Sequence, residues 1–190
     1  MISRTLETTL NALALYAIAA VLGVAFFDQL VNGELPCPLC LLQRAGFLLL
    51  AIGPVMAVAR GPRAAYYGVT ILAGLAGAGF AMRQILLHIA PGDAGYGAPF
   101  LGLHFYTWAF VVFVVAIAAS ALMLVLRQPD GEKADEAQVG AAAGSALGRI
   151  GILLVILMAA ANTLSTTLEC GFATCPDDPV TYQLLTPSGS

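Results

Sequence analysis

The sequence predicts an all-α integral membrane protein with five transmembrane helices. Hydrophobic residues make up 59% of the chain and charged residues 10%, whereas soluble domains carry about 25% charged residues. Five apolar segments follow one another along the chain, and each is close to the roughly 20 residues that a helix needs to cross a bilayer. The formal charge of −3, without any basic cluster, argues against a nucleic-acid partner.

The five segments are separated by short polar connections. They run from about Leu10 to Phe27, Leu41 to Ala59, Tyr66 to Ala90, Leu103 to Leu126 and Leu147 to Leu168. The third contains Gly74 and Gly77 among alanines, a composition that lets membrane helices approach one another closely. We therefore expect these glycines to serve helix packing and to take no part in chemistry.

The basic residues of the connections fall on one side of the predicted membrane. By the positive-inside rule these ends face the cytoplasm, and they carry Arg4, Arg60, Arg63, Arg127, Lys133 and Arg149. The loops at the opposite ends carry acidic residues and no Lys or Arg. The N-terminus is therefore predicted to lie inside, and the C-terminus and all four cysteines outside.

The first cysteine pair, Cys37-Pro38-Leu39-Cys40, stands where the second apolar segment begins, and Arg44 follows four residues later. Pro38 suits the first position of a helix, where its missing N–H costs nothing. The positive end of the helix dipole favours thiolate over thiol, and Arg44 lies one turn beyond Cys40 on the same face. This pattern predicts a redox-active dithiol with a cation beside it.

The second pair, Cys170 and Cys175, follows the fifth segment and opens a proline-containing tail. Four thiolates would also suit a structural zinc site, although Arg44 would oppose a cation there. Two inert disulfides are another possibility. A Cys-x-x-Cys bridge closes so short a loop that it constrains little of the unfolded chain, so redox chemistry is the favoured interpretation. The pairing of the cysteines indicates an oxidising compartment.

Three further polar residues lie near the outer end of the third segment, Arg83, Gln84 and His88. Long cationic side chains near helix ends commonly extend toward the lipid headgroups. For both Arg83 and Arg44 the alternative is that the side chain faces the interior of the bundle and holds an anion. His88 is either a hydrogen-bonded structural residue or a donor to a quinone carbonyl.

Two motifs together resemble the DsbB family, the bacterial inner-membrane thiol:quinone oxidoreductases that support disulfide bond formation. The motifs are Cys37-Pro-Leu-Cys40 followed by Arg44, and Phe100-Leu-Gly-Leu leading to Trp108 at the start of the fourth segment. The resemblance covers about residues 10–127. It implies a four-helix transmembrane bundle with a quinone, ubiquinone or menaquinone, bound near the outer membrane face.

The resemblance also implies roles for individual residues. Cys37 and Cys40 correspond to the catalytic pair and Arg44 to the quinone-site arginine, while Gln84 and His88 lie where the family places quinone-contacting polar groups. The implied partners are a periplasmic DsbA-like thiol oxidase and the membrane quinone pool. Whether electrons run toward the quinone or in reverse is left open.

This chain departs from the family in its second cysteine pair, which the family carries between the third and fourth helices. Here that loop has no cysteine, and Cys170 and Cys175 follow an added fifth helix. The run Phe172-Ala-Thr-Cys175 is similar to the family's partner-facing segment, so we expect Cys175 to be the partner's target and Cys170 to resolve the mixed disulfide.

The predicted organisation has three parts. Residues 1–127 form the DsbB-like four-helix domain, residues 128–148 a cytoplasmic linker, and residues 149–190 the fifth helix with a periplasmic cysteine-containing tail. The predicted location is the bacterial inner membrane, with several membrane passes.

Overall fold

The computed structural model describes residues 2–127 and 145–186, and helices dominate both parts. The helices are α1 (Arg4–Phe27), α2 (Pro38–Leu50), α3 (Ile52–Arg60), α4 (Ala64–Leu87), α5 (Phe105–Leu126) and α6 (Ala146–Cys170). Within these residues, extended pairing is limited to an isolated bridge between Phe100 and Leu103. The predicted all-α fold is therefore confirmed.

Five stretches of the described chain are long and apolar enough to cross a membrane, as predicted. They are Arg4–Asn32, Pro38–Arg60, Ala64–Leu87, Phe105–Leu126 and Ala146–Cys170. The second span joins α2 and α3, which meet at Ala51. The predicted linker falls mostly on residues 128–144, which lie outside the described residues, so that part of the predicted organisation stays a prediction.

Helix α1 begins with a capping residue and ends in a π-helical turn. The Ser3 hydroxyl accepts a hydrogen bond from the Leu6 N–H, the usual arrangement at a helix N-cap. After Phe27 the chain continues as a π-helical turn, Asp28–Asn32, which Gly33 ends with a φ of 75°. Turns of this kind frequently mark functional sites, and this one leads directly to the first cysteine pair.

All six helices of the described chain contribute to the core, and the part of it between α2, α4 and α5 depends on glycines for its close packing. The rings of Phe47 and Phe113 stack with their centroids 4.2 Å apart. A Cβ atom at Gly77 would run into the Phe113 ring, and one at Gly74 would lie 2.7 Å from Ile117 Cγ1. The predicted packing role of Gly74 and Gly77 is thus borne out by their surroundings.

The fifth span belongs to the same bundle, because α6 packs along α1. Gly151 approaches Leu15 closely, with a built Cβ only 3.2 Å from the leucine Cβ. At the same place on this interface the Tyr16 hydroxyl donates to the Leu147 carbonyl oxygen, one turn before Gly151, at 3.1 Å. The added helix therefore contributes to the core that surrounds α1.

The end of the bundle opposite the cysteines is fastened by a buried ion pair. Arg127 Nε donates to Glu7 Oε1 at 3.2 Å, and the Tyr67 hydroxyl donates to the same oxygen at 3.0 Å. Asn11 Nδ2 in turn donates to the Tyr67 oxygen at 2.8 Å. This network joins the first turns of α1 to α4 and to the end of α5.

Candidate functional site

The first cysteine pair caps α2 and is held by a buried amide. Cys37 and Cys40 form a disulfide, and Cys37 Sγ accepts the backbone N–H of Cys40 at 3.2 Å. Gln84 Nε2 also donates to Cys37 Sγ at 3.2 Å, while Gln84 Oε1 accepts from Gln43 Nε2 at 2.6 Å. Two donors therefore converge on Cys37, where they would stabilise a thiolate.

Cys40 lies on the wall of a partly open cavity between α1, α2 and α5. The cavity measures about 210 Å³, and Arg44 lies on the same wall as Cys40. Most of the remaining lining is apolar or aromatic and includes Leu22, Phe47 and Trp108. A second apolar cavity of about 370 Å³ continues between α1 and α5 and shares two lining residues with the first, Val21 and Val112.

Arg44 faces the interior and does not extend toward the surface. Its side chain is 7% exposed. Nη1 donates to Gln29 Oε1 at 2.6 Å and Nη2 to the Ala25 carbonyl oxygen at 2.9 Å. The guanidinium also lies over the Phe26 ring, with Cζ 5.0 Å from the centroid. Arg83, by contrast, is exposed on α4, as the headgroup interpretation predicts.

The other two predicted quinone contacts occupy different positions. Gln84 is 1% exposed and touches the disulfide. His88 Nδ1 donates to Asp93 Oδ1 at 3.0 Å, and its ring stacks on Tyr106, which lines the cavity. The cavity lining includes neither Gln84 nor His88, and their role as quinone contacts stays a prediction.

The loop between α4 and α5 closes over the first cysteine pair. The Tyr96 hydroxyl donates to the Leu35 carbonyl oxygen at 2.6 Å, and burial raises the pKa of Tyr96 to about 12. Glu34 Oε2 accepts the Ala98 N–H at 3.2 Å. In the same loop, a hydrogen bond from the Gly95 N–H lowers the pKa of Asp93, and a weaker effect in the same direction comes from the hydrogen bond with His88. These contacts hold the loop beside Pro36 and the cavity.

The second cysteine pair stands at the end of α6, with one sulfur more accessible than the other. Cys170 and Cys175 form a disulfide. Cys170 is 4% exposed, whereas Cys175 is partly exposed and Phe172 between them is 95% exposed. The backbone N–H of Leu184 donates to the Leu168 carbonyl oxygen at 3.1 Å, so the tail folds back on the end of the helix.

Sequence reasoning missed three polar residues near Arg44. Gln29 bonds to it directly, Gln43 orients Gln84, and Glu169 is attracted to it electrostatically. Glu169 directly follows the predicted fifth segment, which ends at about Leu168, but it lies in the last turn of α6 and is fully buried. The available signal was the presence of amides inside apolar spans, since polar groups in membrane helices are commonly functional.

Comparisons with known proteins show which family this chain resembles. The model of the family described as disulfide bond formation protein DsbB matches residues 7–97. Three relatives are each named disulfide bond formation protein B. The Chromobacterium violaceum protein is 37% identical over 100 residues, which cover 48% of this chain and 60% of the relative. The Aromatoleum aromaticum protein is 28% identical over 155 residues, which cover 63% of this chain and 93% of the relative. The protein of an Azoarcus species is 32% identical over 120 residues, which cover 60% of this chain and 68% of the relative.

The matches vary in how much of each protein they include. The chain spans about 60% of the length of the Chromobacterium violaceum relative, and the matched residues 7–97 end before α5 and α6. No solved structure gives a significant match. The matched part contains the first cysteine pair, Arg44 and Gln84, and the chain belongs to the DsbB family of disulfide bond formation proteins.

Proposed function

We propose that this protein is a membrane thiol:quinone oxidoreductase that reoxidises a periplasmic DsbA-like thiol oxidase and passes the electrons to a membrane quinone. The observation that carries the proposal is the shared wall of one cavity, on which Cys40 and the buried Arg44 lie together. A redox-active sulfur and a fixed cation at an apolar cavity suit an uncharged acceptor that gains negative charge as it is reduced.

The residues around the cavity fit a quinone. Its apolar and aromatic lining would bury a flat ring, and pockets for small molecules typically combine such a lining with a few polar groups. The guanidinium of Arg44 has more N–H donors than its bonds to Gln29 and Ala25 use. The adjoining cavity between α1 and α5 offers apolar space for the hydrocarbon chain of a lipid quinone.

The two cysteines next to the cavity have different roles in the proposed reaction. Oxidation of the Cys37/Cys40 dithiol releases two electrons and two protons, and a bound quinone supplies the acceptor for both by becoming the quinol. Cys40 delivers the electron pair because it is the cysteine of the pair that lines the cavity, whereas Cys37 is held by Gln84 and the Cys40 N–H. Arg44 stabilises the negative charge that develops on the acceptor oxygen, an effect that is large in a site of low dielectric constant.

The second pair receives the electrons from the partner. A thiolate of the reduced thiol oxidase attacks Cys175 Sγ, the more accessible sulfur, and forms a mixed disulfide while Cys170 leaves as a thiolate. The partner's second thiol then attacks the partner's own sulfur in the mixed disulfide, and the oxidised partner leaves. Cys170 is therefore the leaving group and does not resolve the mixed disulfide, because its attack on Cys175 would only return the reduced partner. The resulting Cys170/Cys175 dithiol reduces the Cys37–Cys40 disulfide by the same kind of exchange, so two electrons move at each stage.

This proposal requires both pairs on the periplasmic side of a bacterial inner membrane. The basic residues of the described connections lie at the end of the bundle opposite the cysteines, and this distribution supports a cytoplasmic N-terminus. A periplasmic C-terminal tail follows from five membrane passes.

The test is quinone reduction by the purified full-length protein in detergent, with a reduced DsbA-like protein as donor. Absorbance should show one quinone consumed for each partner dithiol oxidised. A variant with Cys37 and Cys40 both replaced by Ser should show no quinone reduction. If the wild-type protein oxidises the partner without consuming quinone, the quinone assignment is wrong.

A further inference from the structure

A buried amide connects the cavity arginine to the fifth helix and the tail. Gln29, in the π-helical turn after α1, is 3% exposed and accepts from Arg44 Nη1 at 2.6 Å. Its Nε2 donates to Ser165 Oγ at 2.7 Å and to the Tyr182 hydroxyl oxygen at 2.9 Å. A chain of hydrogen bonds thus runs from α2 through Gln29 to α6 and the tail.

The orientation of this amide is fixed by chemistry. Arginine only donates hydrogen bonds, so Gln29 must present its oxygen to Arg44 and its NH₂ group to the two hydroxyls. If Ser165 and Tyr182 lost their hydroxyls, the buried NH₂ group of Gln29 would have no acceptor there. A buried donor without an acceptor is costly, so the Gln29 side chain would move to find another one. The hydroxyls on α6 and the tail therefore determine how Gln29 holds Arg44.

The tail that carries Tyr182 also contains the second disulfide. The N–H of Gln183 donates to the Glu169 carbonyl oxygen at 3.3 Å, which places Tyr182 beside the end of α6. The chain between Glu169 and Gln183 is a closed loop that includes Cys170 and Cys175. Movement of this loop would be transmitted to Tyr182.

A buried carboxyl group at the end of α6 is also attracted to Arg44 electrostatically. The Glu169 side chain is fully buried, and neither of its carboxyl oxygens has a hydrogen-bond partner among the described residues. Its strongest attraction is to Arg44. The end of α6 therefore influences the cavity cation through Glu169 as well as through Gln29.

We propose that Ser165 and Tyr182 are positioning residues for Arg44, so that the added helix and its tail form part of the quinone site. The proposal rests on the function proposed above. Neither residue lies in the part of the chain that the family model matches. Because Tyr182 follows the second cysteine pair, engagement of the tail by a partner would change quinone affinity, a coupling between two sites that works in both directions.

The chain offers a direct binding probe, since Trp108 is its single tryptophan and lines the cavity. Quenching of its fluorescence by a short-chain benzoquinone reports a Kd without turnover. The full-length protein in detergent would be titrated as wild type, Ser165→Ala, Tyr182→Phe and the double variant. Tyr16→Phe is the matched control, because it removes a hydrogen bond between α1 and α6 that does not involve Gln29.

The double variant should raise the Kd about tenfold and each single variant about threefold. Tyr16→Phe should leave the Kd unchanged. In steady state the double variant should raise the quinone KM, while reduction of Cys37–Cys40 by a small dithiol stays at the wild-type rate. This split separates positioning of Arg44 from a general loss of structure.

Three results would overturn the inference. If the double variant binds quinone as the wild type does, the hydroxyls do not position Arg44, although the proposed function stands. If Tyr16→Phe weakens binding equally, general packing of α6 is responsible. If the wild-type protein shows no saturable quenching, the proposed function fails and this inference fails with it.

Discussion

At the scale of single residues, buried amides from neighbouring helices hold the first cysteine pair and its arginine in place. Cys37, Cys40 and Arg44 are recognisable because their spacing on one helix is local. The Gln29 that holds Arg44 and the Gln84 that touches Cys37 come from other helices. Amides carry no charge pattern or motif, so their convergence on these residues appears only when the helices are packed.

Replacing Arg44 should impair quinone use more than folding. Arg44→Ala removes the cation that stabilises developing charge, and we expect the quinone KM to rise or kcat to fall by about tenfold or more. Arg44→Lys should recover only part of this loss, since a point charge lacks the planar fork of guanidinium. Steady-state kinetics with a small dithiol as donor would measure both effects.

Arg83→Ala is the matched control for this experiment, because Arg83 is exposed on α4. Its kinetics should equal those of the wild type. Wild-type kinetics in Arg44→Ala, in protein with an unchanged melting temperature, would show that Arg44 has no role in quinone reduction.

At the scale of helices, hydropathy was sufficient to predict the spans. All five predicted segments overlap helices of the structure, because each must bury enough apolar surface to cross a bilayer. The break at Ala51 and the π-helical turn Asp28–Asn32 were not predicted. Both are local departures from regular helix geometry, and hydropathy averaged over a whole span does not register them.

Close packing of α4 against α5 gives a prediction with an internal control. Gly77→Ala would place a methyl group against the Phe113 ring, and overpacking of this kind typically costs about 1–3 kcal/mol. Gly79 has nothing within 4 Å of a built Cβ. Thermal unfolding in detergent should therefore show a lower melting temperature for Gly77→Ala than for Gly79→Ala. Equal melting temperatures would contradict the packing described here.

At the scale of the whole molecule, the position of the fifth helix could not be read from the sequence. An apolar helix has no marked face in a membrane, so the pattern of residues 146–170 does not reveal that α6 packs along α1. Gly151 and Ser165 make the contact specific, and each is 136 residues away from its partner, Leu15 or Gln29. The structure thereby brings the second cysteine pair to the same end of the bundle as the first.

The orientation of the bundle in the membrane is a separate prediction. Because the arginines of the described connections lie at one end of the bundle, that end should face the cytoplasm and the cysteines the periplasm. A membrane-impermeant thiol reagent, applied to reduced and intact spheroplasts, should label the tail, with Cys175 labelled more readily than the buried Cys170. Labelling that appears only after the membrane is broken would reverse the orientation.

The central claim is that electrons pass from a partner to the second cysteine pair, then to the first pair, and then to quinone. The most direct measurement compares two donors on one variant, with Cys170 and Cys175 both replaced by Ser. A small dithiol should still reduce quinone through Cys37 and Cys40, which remain intact beside the cavity, whereas oxidation of the DsbA-like partner should be lost. Partner oxidation at the wild-type rate would contradict the account, because it would mean that the partner reaches the first pair directly.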